Sequence, residues 1–172
     1  AKAVNFGIVY GLSAFGLSRQ LKIYPKEAKK FIDQYFALYK KVKVYMEKTV
    51  AEAKEVGYTQ TMMNRKRYLP DLKSQNRQLR EAAGRVAINS PVQGSAADLI
   101  KLAMIRLAQK IRKKKLKSRM ILQVHDELVF ECPEEEEQEM RVLVKKEMEG
   151  VVALKVPLVV DMGWGKNWNT AH

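Results

Sequence analysis

Apolar positions recur along most of this chain with the three-to-four spacing of helices that bury one face, and in its last third they gather into short runs that read as strands. In residues 1 to 10, Lys2, Phe6 and Tyr10 stand four apart and fall within an arc of about 80° on a helix, with Val4 and Ile8 roughly opposite. Gly11 suits a stop there, and Ser13 opens a short helix. Pro25 fits the first position of a long helix reaching Gly57, whose stripe of Phe31, Tyr35, Leu38, Val42 and Tyr45 reads as core. Lys40, Lys41 and Lys43 mark where that helix breaks or bends. Residues 58 to 72 read as a turn between two short extended pieces and carry Arg65, Lys66 and Arg67. A helix from about Asn76 to Asn89 is expected to stop at Pro91, because the residue before a proline is pushed out of helical geometry. Helix resumes from Val92 to about Lys115.

"MILQVH" and "LVFE" then read as an antiparallel hairpin with Asp126 and Glu127 at its tip. Neither is a glycine or asparagine, the residues that supply the positive φ of tight two-residue turns. Pro133 starts a helix whose acidic first turn "EEEEQE" suits a helix N-terminus, with Lys145 and Lys146 near its far end. "KVPLVVDMGW" reads as a closing strand that Pro157 confines to an edge. The fold class expected is α+β: a helical first part, then helices packed on a small antiparallel sheet, with no internal repeat or low-complexity linker.

Composition adds a partner to this picture. In 172 residues, 47% of them apolar, the chain has enough material for a buried core. Its formal charge of +13 points to a polyanion, nucleic acid first and an anionic membrane surface second. No apolar run approaches the roughly 18 residues of a membrane span, no signal segment opens the chain, and Cys132 is the only cysteine. A soluble, cytoplasmic protein without disulfides is expected. The start lacks both an initiator Met and a capping residue and lies inside a helix-like pattern, so we expect a longer polypeptide to precede it. The run "KIRKKKLKSR" packs seven basic residues together, either as a solvated helix end or as a phosphate contact.

Three constellations suit chemistry, each with a plain structural alternative. Lys2, Phe6 and Tyr10 form either an amphipathic helix with a snorkelling lysine or a ladder about 12 Å long, cation first and rings after, that matches a nucleoside triphosphate. Arg85, Asn89 and Gln93, again four apart, form either a polar seam or a set of donors for minor-groove acceptors, which every base pair offers. Asp126 and Glu127 are either a solvated tip or ligands for Mg²⁺.

These groups occur in the order of one family. "KAVNFGIVYG" resembles the nucleotide-binding helix of family A DNA polymerases, the bacterial DNA polymerase I type, and "QVHDELVFE" resembles their C-terminal catalytic motif. "RYLPDLKSQN" and "RVAINSPVQGSAADLIKLAM" are similar to the family as well, so the resemblance covers essentially the whole chain. It implies a fingers subdomain at residues 1–72 and the C-terminal part of the palm at 73–172, acting in template-directed DNA synthesis. By the same resemblance Lys2 holds the triphosphate of the incoming dNTP, Phe6 packs on its sugar and Tyr10 stacks at the base-pair position. Arg85, Asn89, Gln93 and His125 contact the primer-template, and Arg65, Lys66 and Arg67 meet nucleic-acid backbone. Asp126 is the metal-binding carboxylate, supported by Glu127, with two Mg²⁺ ions in the intact enzyme.

This chain departs from the family pattern in three places. The family's other metal carboxylate lies in an Asp-x-Ser-x-x-Glu-Leu-Arg motif, and none of the five aspartates here has that context. An arginine four positions before Lys2 would fall ahead of residue 1, and Gly84 stands where a glutamate is common. The expectation is therefore a polymerase portion that needs the N-terminal remainder of the enzyme and does not extend primers alone. The alternative from another class is a non-catalytic module that binds duplex nucleic acid.

Overall fold

The computed structural model describes residues 2–171, with side chains from Val4 onward. It divides into two compact units, residues 1–95 and 96–172. The α+β class expected from the sequence is what the structure has: seven helices and two separate two-stranded antiparallel sheets among the described residues.

The first unit opens with α1 (Lys2–Val9) and α2 (Ala14–Leu21). Gly11, at φ 78°, ends α1, and the Ser13 hydroxyl accepts from the Gly16 N–H at 3.2 Å, capping α2. Pro25 takes the first position of α3 (Pro25–Leu38), and α4 (Lys40–Val56) follows, closed by Gly57 at φ 85°. The long helix is thus two, broken at Tyr39 (φ −105°, ψ 57°), directly before the lysine cluster.

The expected core stripe is not a core stripe. Phe31, Leu38 and Tyr45 are exposed, Leu38 by 74%, and only Tyr35 and Val42 are partly buried. The buried positions of these helices are the small Ala28 and Ala53, beside which the larger side chains fall on the solvent flank.

The extended pieces pair as β1 (Tyr58–Gln60) and β2 (Lys66–Tyr68), and Ala53, Leu69, Leu72, Ala83 and Ala87 form a small core beside them. Ala83 and Ala87 belong to α5 (Arg77–Lys114), which runs through Pro91 without stopping. Proline removes the N–H that would meet the Ala87 carbonyl, at a cost of about 3 kcal/mol in a helix interior. Two serines beside it back-bond along the helix: the Ser90 hydroxyl donates to Val86 O at 2.6 Å and the Ser95 hydroxyl to Pro91 O at 2.5 Å.

In the second unit, Leu107 and Ile111 of α5 pack with Met140, Leu143 and Val144 of α6 (Glu137–Glu149). The hairpin of β3 (Arg119–Val124) and β4 (Glu127–Glu131) lays Met120, Leu128 and Phe130 against them. Glu134–Glu136 form a 3-10 turn ahead of α6, a tighter start to the helix than the sequence suggested. No strand forms in the closing segment, where "KVPLVVDMGW" runs without ladder partners among the described residues. Pro157 lacks a ladder donor, and the Val160 N–H is taken by the Glu149 carboxylate at 3.0 Å. Beyond it lies only the short α7 (Trp168–Ala171).

Glu136 ties this unit together. Its carboxylate accepts from the buried Ser118 hydroxyl at 2.6 Å and from the Lys117 and Ser118 N–H groups at 2.8 and 2.9 Å. These bonds, the Ser118 hydroxyl first, hold the carboxyl below its usual 4.5. A depressed carboxylate stabilises the fold above its unfolded value, and that contribution is lost as pH falls through the folded one. Thermal melts of the chain and of Glu136→Gln should therefore differ at neutral pH and converge as pH falls below the usual carboxylate range. A gap that stays constant with pH would contradict this role.

Candidate nucleotide and nucleic-acid site

Each unit carries part of the predicted site. On α1 the rings of Phe6 and Tyr10 face solvent, stacked with centroids 6.0 Å apart and planes 20° from parallel, while Ile8 is buried on the opposite side. One helix face thus presents two parallel rings at a four-residue step, as the spacing required. Lys2 begins α1, but its side chain lies outside the described residues. The Tyr35 hydroxyl donates to Asn5 Oδ1 at 2.9 Å and fastens α1 to α3.

Arg85, Asn89 and Gln93 share one face of α5, because the helix continues through Pro91. At 100° per residue they span about 80°, Arg85 and Gln93 exposed and Asn89 partly buried, with Ala83 and Ala87 buried away from them. The structure also brings Arg85 to the end of α1. A side chain at Gly11 would begin 3.1 Å from Arg85 Cγ, so the bare glycine is where the arginine stem lies.

The β1–β2 hairpin joins the same neighbourhood. The Met62 N–H donates to the Ser95 hydroxyl at 2.9 Å, and a Cβ on Gly94 would lie only 2.6 Å from Thr61 Cγ2. The tip of the basic hairpin is thereby clamped to α5 immediately after Gln93. Arg65, Lys66 and Arg67 are exposed there, with the Lys66 ammonium 4.3 Å from the Tyr58 ring centre. Gly94 and Ser95 are positioning residues that sequence reasoning does not single out, and Gly11, read there only as a helix stop, also makes room for Arg85. The glycine-serine pair of "VQGSAAD" is the only local hint.

In the second unit, the hairpin tip differs by one residue from expectation. Val124 pairs with Glu127, so the two turn residues are His125 and Asp126, and Glu127 is the first residue of β4. His125 supplies the positive φ that seemed to be missing, at 52°, and the Gln123 amide donates to its carbonyl at 3.1 Å. Histidine, like asparagine and aspartate, is enriched in this left-handed region. His125 and Asp126 are exposed; Glu127 is partly buried. Asp126 and Glu127 help line an open cleft of about 500 Å³ that is otherwise mainly apolar, with Leu128, Phe130, Met162 and Trp164 among its walls.

Carboxylate oxygens are the donors Mg²⁺ takes. Among the described residues, however, no three His, Cys, Asp or Glu side chains gather into a group able to hold a metal.

The sequence model described as DNA polymerase family A matches residues 1–170. The chain belongs to that family. It is 58% identical over 168 residues to DNA polymerase I of Caldicellulosiruptor bescii, covering 98% of this chain and 20% of that protein. It is 54% identical to DNA polymerase I of Bacillus subtilis, covering 99% of this chain and 19% of that one. The chain thus spans about a fifth of the length of these curated relatives. Among solved structures, it matches the polymerase domain of Pol1 from M. smegmatis, in complex with DNA primer-template and dNTP, at a TM-score of 0.96 and 50% identity over 99% of this chain and 30% of that one. No helix among the described residues is long and apolar enough to cross a membrane.

Proposed function

We propose that the chain is the fingers (residues 1–72) and C-terminal palm (73–172) of a DNA-directed DNA polymerase, which transfers a nucleotide from a dNTP to a primer 3′ hydroxyl. The observation that carries this reading is the backbone match, at a TM-score of 0.96, to a polymerase domain described as bound to primer-template and dNTP. In this reading the Lys2 ammonium meets the triphosphate, the Phe6 ring packs on the sugar and Tyr10 stacks beside the base pair. Arg85, Asn89 and Gln93 donate to minor-groove acceptors that are present whatever the sequence, so any template is read equally. His125 and the clamped Arg65–Arg67 hairpin hold primer and backbone.

The primer hydroxyl oxygen attacks the α-phosphorus and pyrophosphate leaves, charge building on the non-bridging oxygens. Mg²⁺, when bound, neutralises that charge. Asp126 is the ligand this chain would supply, with Glu127 supporting it, and the second carboxylate belongs to the N-terminal remainder of the enzyme. The working place is the cytoplasm, on nucleoid DNA.

Primer extension tests this directly. The 172-residue chain alone should leave a primed template unextended, whereas the chain joined to an upstream polymerase segment bearing the second carboxylate should extend it. Robust extension by the chain alone would overturn the division of the site. In the joined enzyme, Phe6→Tyr should raise incorporation of dideoxynucleotides relative to dNTPs by about tenfold or more, near 1.4 kcal/mol in relative barrier. An unchanged ratio would remove Phe6 from the sugar position.

A further inference from the structure

The basic run after Leu107 has no part in the proposed site, and its surroundings show how much of its charge is committed. Residues 110–119 carry seven cations and no acid. Lys114 pairs with Glu139 at 2.5 Å, Lys117 with Glu135 at 3.8 Å and Arg119 with Glu131 at 2.6 Å. Glu136 is held by Ser118 and the Lys117 backbone. Seven cations therefore face four carboxylates, and Lys110, Arg112, Lys113 and Lys115 are exposed without an ion pair among the described residues.

Closing the helix does not account for four free cations. A helix C-terminus amounts to about half a negative charge, which a single lysine offsets. Lys115 moreover occupies the left-handed position after α5, at φ 57°, where α4 uses Gly57. The Leu116 N–H reaches Ile111 O at 3.1 Å and the Lys115 N–H reaches Arg112 O at 3.1 Å, so the turn is well made around a residue that is not the easy one there.

Arg106, Lys110 and Lys113 follow one another at i, i+4 and i+7, a ridge about 10 Å long. Arg106 is steadied by its bond to Gly150 O at 3.2 Å. The run sits at the base of the β3–β4 hairpin, where Arg119 pairs with Glu131; the His125–Asp126 turn is at the other end, five residues or about 17 Å away. A ligand on the run is therefore not the one at Asp126. Ile105 is the only large apolar side chain exposed in residues 101–119, so no apolar face is available for insertion into a lipid surface.

We infer that Lys110, Arg112, Lys113 and Lys115 form a second contact for the sugar-phosphate backbone of duplex DNA, separate from the primer end, that holds the protein on DNA by charge alone. Duplex DNA carries one negative charge per about 1.7 Å of axis, dense enough to meet each of these cations. The inference shares with the proposed function only that the partner is DNA.

The test is the salt dependence of binding to a blunt DNA duplex, measured for the chain and for the combined variant Lys110→Gln, Arg112→Gln, Lys113→Gln, Lys115→Gln, which leaves every ion pair in place. The slope of log K against log salt should become shallower by about 0.9 for each phosphate no longer neutralised, roughly 2 to 4 in all. Neutralising four exposed lysines of α3 and α4 instead (Lys26, Lys29, Lys40 and Lys41) should change it far less. Equal changes in the two variants, or an unchanged slope in the first with an unchanged melting temperature, would overturn the inference. So would a loss confined to binding of anionic vesicles. Arg65→Gln with Arg67→Gln reports separately on the proposed primer-template surface, so either reading can fail while the other stands.

Discussion

Asp126→Ala, made in a polypeptide that includes the upstream polymerase segment, is expected to slow primer extension about 10³-fold, equivalent to several kcal/mol of lost transition-state stabilisation. The size follows from what the residue does and does not touch. Asp126 is exposed in a two-residue turn and makes no hydrogen bond or ion pair among the described residues, so truncating it disturbs no packing. The neighbour that sets the turn, His125 at φ 52°, is untouched. The substitution removes only a carboxylate in the turn just before β4. Primer-template affinity and melting temperature should be nearly unchanged while the single-turnover rate collapses. Extension within about tenfold of the unaltered enzyme would remove Asp126 from the chemistry.

Leu107→Ala is expected to destabilise the second unit by about 2–5 kcal/mol, the range for emptying a buried leucine site. Leu107 is fully buried at the centre of the cluster that joins α5, α6 and the β3–β4 hairpin. For a chain of this size the melting temperature should drop by roughly 5–20 °C. Ile105→Ala, two residues away but 55% exposed, should shift it by no more than a degree or two. Similar shifts for the two variants would mean that the second unit is not organised around this cluster.

The helices were legible because their evidence is local. Ser13, Pro25, Gly11 and Gly57 act through the backbone within a few residues, and each sits at the helix end where its chemistry belongs. The readings that failed depended on distant partners. α5 carries Pro91 in its interior while its flanks pack into both cores, and the closing segment gives Val160 to Glu149 rather than to a strand. The stripe from Phe31 to Tyr45 has the right period for a buried face, yet the close approach is made at Ala28 and Ala53. At the hairpin tip the error was one residue, and it changed which residue turns the chain: His125 carries the positive φ and Asp126 is freed at the turn.

The candidate site was legible through long motifs in family order, since no single constellation outweighed its structural alternative. What the motifs did not reveal is how the site is braced. Ser95 accepts from Met62, 33 residues earlier, Gly94 gives room to Thr61, and Gly11 lies under Arg85. Small residues matter there by leaving space, and their sequence carries little sign of it.

A duplex-binding module without chemistry would share the charge-driven DNA binding and the minor-groove donors, so affinity for DNA does not separate the two readings. Nucleotide binding does. Equilibrium titration of a labelled dNTP into the enzyme with its primer-template and Mg²⁺, repeated with Lys2→Ala, tests the central claim most directly. The polymerase reading predicts Mg²⁺-dependent binding that Lys2→Ala weakens at least about tenfold, near 1.4 kcal/mol, while DNA affinity is retained. Absent dNTP binding, or binding indifferent to Lys2, would contradict it.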